Sequence, residues 1–236
     1  MTCILLTGSS RGIGAASRTA LEARGAKVIG QSTSGEGFGT LAADFRDPDA
    51  PHALWEAALT QAGGEIDVLV NNAGLFDPNP IEQSDSDWLT GWEETMRINL
   101  TASAQLSRLA VRHWHERGAT GRIVHVASRA GHRGDSPAHW HYAASKGGML
   151  AMHKTIARQY ASQGILSFAI TPGFTDTAMA GDYIDSRGGA GLLADIPLGR
   201  VAEPEEIARI VEFLSLDAPP SLTGATLDAN GASYVR

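Results

Sequence analysis

Cys3-Ile4-Leu5-Leu6-Thr7-Gly8-Ser9-Ser10-Arg11-Gly12-Ile13-Gly14 follows the first two residues of the chain. Four apolar residues run into a glycine-rich turn. The turn runs into a stretch of helical spacing, residues 13–24, where Ala15, Ala16, Thr19 and Ala20 form a small-residue face. A short, unbroken apolar run suits a strand covered on both faces. Gly8 permits the tight turn. Gly12 and Gly14 let a pyrophosphate approach the start of the helix, where unbonded N–H groups and the helix dipole favour negative charge. Ser10, Arg11 and Ile13 complete the phosphate-facing turn. Glycines at this spacing also occur in plain turns, so the strand before them and the helix after them carry the reading.

The same alternation continues outward from this unit. Further apolar runs lie at 26–29, 66–70, 123–126, 165–170 and 225–227, and helical spacing returns at 87–117, 142–162 and 204–214. Glu203-Pro204-Glu205-Glu206 puts proline and acids in a first turn, where both favour a helix start. Strand–helix alternation predicts an α/β fold with a single doubly wound parallel sheet, Rossmann-like, of about seven strands with helices on both faces. No linker or repeat divides the chain, so one domain over residues 1–236 is expected. Residues 177–200 are glycine-rich and irregular. They read either as an ordinary surface loop or as a lid over the carboxyl ends of the strands.

Composition narrows the partners. A net charge of -7 with no basic run argues against nucleic acid. Cys3 is the sole cysteine, which points to a reducing compartment. No long apolar span is present, so no membrane partner and a cytoplasmic setting are expected.

Three further signals carry chemistry. Asn71-Asn72-Ala73-Gly74 ends an apolar run, where small and amide residues suit contact with a ribose or adenine, although an Asx turn has the same look. Ser128 closes the run at 123–126. Tyr142 and Lys146 stand four apart and share a helix face. A lysine ammonium favours a nearby phenolate and lowers the tyrosine pKa from about 10. Tyr142 would then exchange a proton with a substrate oxygen that Ser128 holds. With 4 tyrosines and few lysines in the chain, this pairing arises by chance in about one such sequence in twenty.

In this order the motifs resemble the short-chain dehydrogenase/reductase family, over nearly the whole chain from Thr7 to Gly231. The resemblance adds Asn99 in Arg97-Ile98-Asn99-Leu100, then Pro172-Gly173 and Thr177. It implies a nicotinamide-dependent oxidoreductase acting on a carbonyl or alcohol. Tyr142 would be its acid or base, and Lys146 would hold the nicotinamide ribose and tune Tyr142. Ser128 would orient the substrate. Asn99 would support a water linking Lys146 to solvent. Asp44, followed by Phe45, would meet the adenine, and Asn72, Ala73 and Gly74 would line the cofactor. Pro172, Gly173, Thr175 and Thr177 would meet the nicotinamide and phosphates. A homo-oligomer, tetramer or dimer, is also implied.

The stretch Gln31-Ser32-Thr33-Ser34-Gly35-Glu36-Gly37-Phe38-Gly39 departs from the family pattern, since it is short and a helix usual there has no room. Ser32 stands where an acid would hold a ribose diol, so nothing repels a 2′-phosphate. Arg11, Thr33 and Ser34 therefore favour NADP(H), while Glu36 folding back would serve NAD(H). His132, Trp140 and Phe174 are candidate substrate walls. His113-Trp114-His115 and His139-Trp140-His141 offer too few ligands for a metal. The leading expectation is NADP(H)-dependent transfer to a carbonyl or from a secondary alcohol. An NAD(H)-dependent polyol dehydrogenase, a non-catalytic dinucleotide sensor, and an isomerase or dehydratase stand behind it.

Overall fold

A computed structural model of the chain describes residues 1–37, 39–177 and 193–236. Seven strands form one all-parallel sheet in the order β3-β2-β1-β4-β5-β6-β7. In chain order these are β1 (Cys3–Leu6), β2 (Lys27–Ser32), β3 (Thr40–Ala42), β4 (Val68–Asn71), β5 (Gly121–Val126), β6 (Ile165–Pro172) and β7 (Thr226–Ala229). The helices are α1 (Gly12–Ala23), α2 (Ala50–Ala62), α3 (Asp85–Met96), α4 (Ala102–Arg117), the single turn α5 (Ala130–Arg133), α6 (Trp140–Tyr160) and α7 (Pro204–Leu216). Most of the expected lid, residues 178–192, lies outside the described residues.

Alternate strand residues feed two cores. Ile4, Leu6, Val68, Val70, Val124 and Phe168 face α1 and α7 through Leu21, Ile207, Val211 and Leu214. Leu5, Ile29, Leu69 and Ile123 face α2 and α4 through Leu54, Trp55, Leu106 and Trp114, with Ile156 of α6 alongside. Every residue of β1, β4 and β6 is thus buried on one face or the other, which explains runs without polar alternation. Trp114 anchors the second core. Its Nε1 donates to Ile66 O at 2.6 Å, and a Cβ on Gly121 would lie 2.1 Å from its ring.

Three elements differ from the sequence expectation. The helix expected over 87–117 is interrupted by a π-helical turn, Arg97–Thr101, between α3 and α4. Helix α2 was not expected, although Pro51 in its first turn and left-handed Gly63 at its end are start and stop signals. Strand β3 has three partly exposed residues and no apolar run to betray it.

The β2–β3 link is the most unusual connection. Parallel neighbours ordinarily need a crossover of about a dozen residues or more. Here residues 33–39 suffice, and their described part contains no helix. Gly35 makes the reversal possible: its φ is +73°, and a Cβ there would sit 2.8 Å from Ala42. Ser32 Oγ accepts from Gly35 N at 2.9 Å and closes the turn.

Candidate active site

The strand order reverses between β1 and β4, and open α/β sheets bind ligands at the strand carboxyl ends at such a switch point. A cavity of about 1030 Å³ lies there, with the glycine turn on one side and Ser128, Tyr142 and Lys146 on the other.

The glycine turn is stitched to the end of β4. Asn72 Nδ2 donates to Thr7 O and Gly8 O, both at 3.0 Å, and Thr7 Oγ1 accepts from Asn72 N and Ala73 N, also at 3.0 Å. Gln31 adds a second tie: its Oε1 accepts from Gly8 N at 2.8 Å and its Nε2 donates to Ala43 O at 2.7 Å. Gly8, with a φ of +65°, makes the tight turn, and Gly14 has a further task within the protein. A Cβ on Gly14 would lie 1.9 Å from Gly8 O, so its absence lets the turn close on itself, and Gly14 also lines the cavity. Asn72 likewise spends its amide on the turn. The N-cap of α1, Arg11, makes no side-chain bond to the helix, so the first-turn N–H groups face the cavity. An anion fits that position.

Beyond the turn the cavity passes Ser32, Thr33, Asp44 and Phe45. Asp44 is paired with Arg46 at 3.4 Å, and Arg46 also meets Glu94 at 2.5 Å. Glu36 is exposed and outside the lining.

At the other end α6 projects Tyr142 and Lys146 from one face. Lys146 Nζ donates to Val126 O at 3.0 Å and lies 5.7 Å from the Tyr142 ring centroid. Burial lowers the Lys146 pKa to about 8. Burial also pushes Tyr142 up to about 12, with the Ser128 hydroxyl pulling down and Asp135 pushing up. The sequence argument foresaw a Tyr142 pKa lowered by Lys146, whereas loss of water outweighs any such effect here.

Asn99 sits in the π turn, fully buried. Its Oδ1 accepts from Leu75 N at 2.9 Å, and its Nδ2 donates to Leu75 O at 3.0 Å and Ser145 Oγ at 3.3 Å. Its carbonyl accepts from Ser103 Oγ at 3.2 Å. The side chain thus fastens the segment after β4 to α6. A Cβ on Gly74 would lie 3.2 Å from Asn99 Oδ1 and 3.5 Å from Lys146 Nζ, so the glycine leaves both groups open to one gap.

A family model described as enoyl-(acyl carrier protein) reductase matches residues 8–231. The chain belongs to the short-chain dehydrogenase/reductase family. Family membership makes it an NAD(P)-dependent oxidoreductase of C=O and CH–OH groups. A 3-oxoacyl-[acyl-carrier-protein] reductase from Salmonella typhimurium is 36% identical, covering 98% of this chain and 96% of that protein. The protein of the same name from Pseudomonas aeruginosa is 33% identical over the same shares. A solved structure, a putative 2-deoxy-D-gluconate 3-dehydrogenase from Agrobacterium tumefaciens with bound NADP, superposes with a TM-score of 0.84 at 29% identity, covering 98% and 96% of the two chains.

Within this family member the remaining expected residues divide. Ser10, Gly12, Ile13, Pro172, Gly173 and Thr175 line the cavity. So does Thr177, whose Cγ2 would be 2.9 Å from a Cβ on Gly12. Phe174 lines the cavity as well. His132 and Trp140 do not. Trp140 is 55% exposed, because two residues before Tyr142 is more than half a helical turn away. His132 stacks on Tyr234 at 5.7 Å, outside the lining. Phe76, Arg129 and Asp135, which were not expected, line the cavity. Phe76 stacks on His139 at 3.9 Å and meets Tyr142 edge-on at 4.7 Å. Their nearness to Gly74 and Ser128 in sequence was the available signal. Among the described residues no helix is long and apolar enough to cross a membrane, and no three metal-ligating side chains cluster.

Proposed function

We propose that this protein uses NADPH to reduce a carbonyl compound, with Tyr142 donating the proton to the carbonyl oxygen. The observation that carries the reading is the convergence of Tyr142, Ser128 and Lys146 on the cavity that also holds the open N-terminus of α1. The nicotinamide supplies the hydride when bound. Ser128 holds the carbonyl oxygen, and Tyr142, kept protonated by burial, delivers its proton there. Lys146, cationic below about pH 8, holds ribose hydroxyls and stabilises the phenolate left when Tyr142 gives up its proton. Asn99 acts through Leu75 and Ser145 and is a positioning residue.

Several features favour NADP(H) over NAD(H). Arg11, Thr33 and Ser34 line the adenosine end, where they offer a guanidinium and two hydroxyls to a 2′-phosphate, while Arg46 there is held by Asp44 and Glu94. Glu36, the group that would serve a free ribose diol, lies outside. The bound NADP of the Agrobacterium structure agrees with this. Oxidation of an alcohol runs the same atoms in reverse. The relatives' names span thioester-bound and sugar-acid substrates, so they support carbonyl chemistry as a class.

Parallel fluorescence titrations with NADPH and NADH, followed by a panel of ketones, aldehydes and oxoacyl thioesters, test this reading. Tighter NADPH binding and carbonyl-dependent NADPH oxidation are expected. Binding without turnover of any carbonyl, or of alcohols with the oxidised cofactor, would overturn it in favour of the sensor.

A further inference from the structure

Phe76 belongs to the loop between β4 and α3, and neither the proton transfer nor the phosphates employ it. The loop is nonetheless held at every second residue. Asn99 takes both polar groups of Leu75: its Oδ1 accepts from Leu75 N at 2.9 Å and its Nδ2 donates to Leu75 O at 3.0 Å. His141 Nε2 donates to Asp77 O at 3.1 Å. Asn79 N donates to Ala138 O at 2.8 Å, and its Nδ2 donates to Trp88 O at 2.9 Å. Asn99 and His141 are buried, so the backbone is fixed on both sides of Phe76 by groups that water does not loosen.

The ring that this loop presents is wedged into the start of α6. It stacks on His139, the N-cap, with centroids 3.9 Å apart and planes at 12°. It meets Tyr142 edge-on at 4.7 Å and 77°. Residues 139 and 142 stand three apart, on one side of the first turn, so a single ring reaches both. His139 is steadied in turn by Ser136 Oγ, 2.7 Å from its Nδ1. The Tyr142 main chain has its own tie: Ser145 Oγ donates to Tyr142 O at 2.7 Å and accepts from Asn99 Nδ2 at 3.3 Å. Asn99 thus reaches the proton donor twice, through Ser145 to its main chain and through Leu75 and Phe76 to its ring. A phenol ring on a fixed main chain still has its side-chain torsions to settle, and a ring packed edge-on against it restricts them.

We infer that Phe76 is a positioning residue for the proton donor: wedged between His139 and Tyr142, its ring holds the Tyr142 hydroxyl in line with the substrate oxygen. The inference rests on the reductase reading above. Reactive geometry is exacting, and a displacement of roughly 1 Å at a reacting group lowers the rate by about a hundredfold. Phe76 also lines the cavity, whereas His139 does not. The two residues together therefore separate positioning from contact with substrate.

Phe76→Leu, Phe76→Tyr and His139→Ala, each in the full chain, provide the test, with saturating NADPH and a small and a bulky carbonyl compound that the wild type reduces. In Phe76→Leu kcat should fall by about tenfold or more, by the same factor for both carbonyls, while NADPH binding stays within about threefold of wild type. Phe76→Tyr, which keeps the ring, should recover most of that loss. His139→Ala should lower kcat by about threefold or more and leave the carbonyl KM within about twofold, because His139 lies off the lining. Combining Phe76→Leu with His139→Ala should lower kcat little further than Phe76→Leu alone, since both act through one ring. A kcat within about twofold of wild type in Phe76→Leu or His139→Ala, a loss carried by KM alone, or a Phe76→Tyr no better than Phe76→Leu would overturn the inference and leave the reductase reading intact. Failure of the wild type to oxidise NADPH with any carbonyl would sink the reductase reading and this inference with it. His139→Ala decides the matter even if Phe76→Leu fails to fold.

Discussion

At the glycine turn the cleft is built from backbone and short polar side chains. Thr7, Gln31 and Asn72 spend their bonds tying β1, β2 and β4 together, and the charges that face outward there, on Arg11 and Arg46, are exposed. At the other end the working groups are sunk in the protein. Lys146 and Asn99 are buried, and burial moves the Lys146 and Tyr142 pKa values in opposite directions. The difference separates two kinds of electrostatics. Exposed charges select a ligand by modest, salt-sensitive increments. Buried ones set protonation states and cost stability.

The contrast should break first at Lys146. Lys146→Met should abolish turnover and yet raise stability at pH 7 by about 2 kcal/mol, the relief of a buried charge less one hydrogen bond. The sign follows from the depressed pKa. Between the folded value of about 8 and the unfolded value near 10.4, the unfolded chain binds more protons, so wild-type stability rises with pH across that window. Denaturant unfolding of both proteins at pH 7 and 9.5 should show the gap narrowing at the higher pH.

A second pair of buried bases sharpens the point. Burial lowers His125 to about 3 and His153 to about 4. Both remain neutral in the folded protein while unfolded imidazoles gain protons below about pH 6.5. Stability should therefore fall with acidification, by about 1.4 kcal/mol per pH unit for each histidine. Unfolding midpoints at pH 6.0 and 5.0 check this, and His153→Gln should remove about half of what this pair adds to the slope.

Effects at the exposed end should be smaller. Arg11→Ala should weaken NADPH binding about tenfold, leave NADH within about twofold, and lose most of its effect at high salt. Glu36→Ala should change NADH binding by less than about twofold, because an exposed carboxylate outside the lining holds nothing. A large loss of NADH binding in that variant would show that the β2–β3 link folds back over the ribose.

Legibility in the sequence follows the same division. The parallel sheet could be read because residues such as Ile4, Leu69 and Ile123 are buried and leave unbroken apolar runs. The order of Gly8, Asn72, Ser128, Tyr142 and Lys146 was readable because each occupies a set place on that scaffold. Strand β3 was hidden because its partly exposed residues carry no pattern, and the π turn because Asn99 and its neighbours keep helical spacing. The ties of Gly14 and Asn72 to the protein's own backbone were hidden because the partners are main-chain atoms that no side-chain pattern marks. Which aromatic residues reach the cavity depended on helix phase: Trp140 turns outward, while Phe76, from a loop, lines it.

The most direct test of the account is Tyr142→Phe, with NADPH binding and carbonyl turnover measured on the same sample. Binding within about twofold of wild type, together with a fall in kcat of at least about a thousandfold, is the result expected of a proton donor that contributes little to cofactor affinity. Turnover within tenfold of wild type would contradict it, and the proton would then have to come from another group in the cleft.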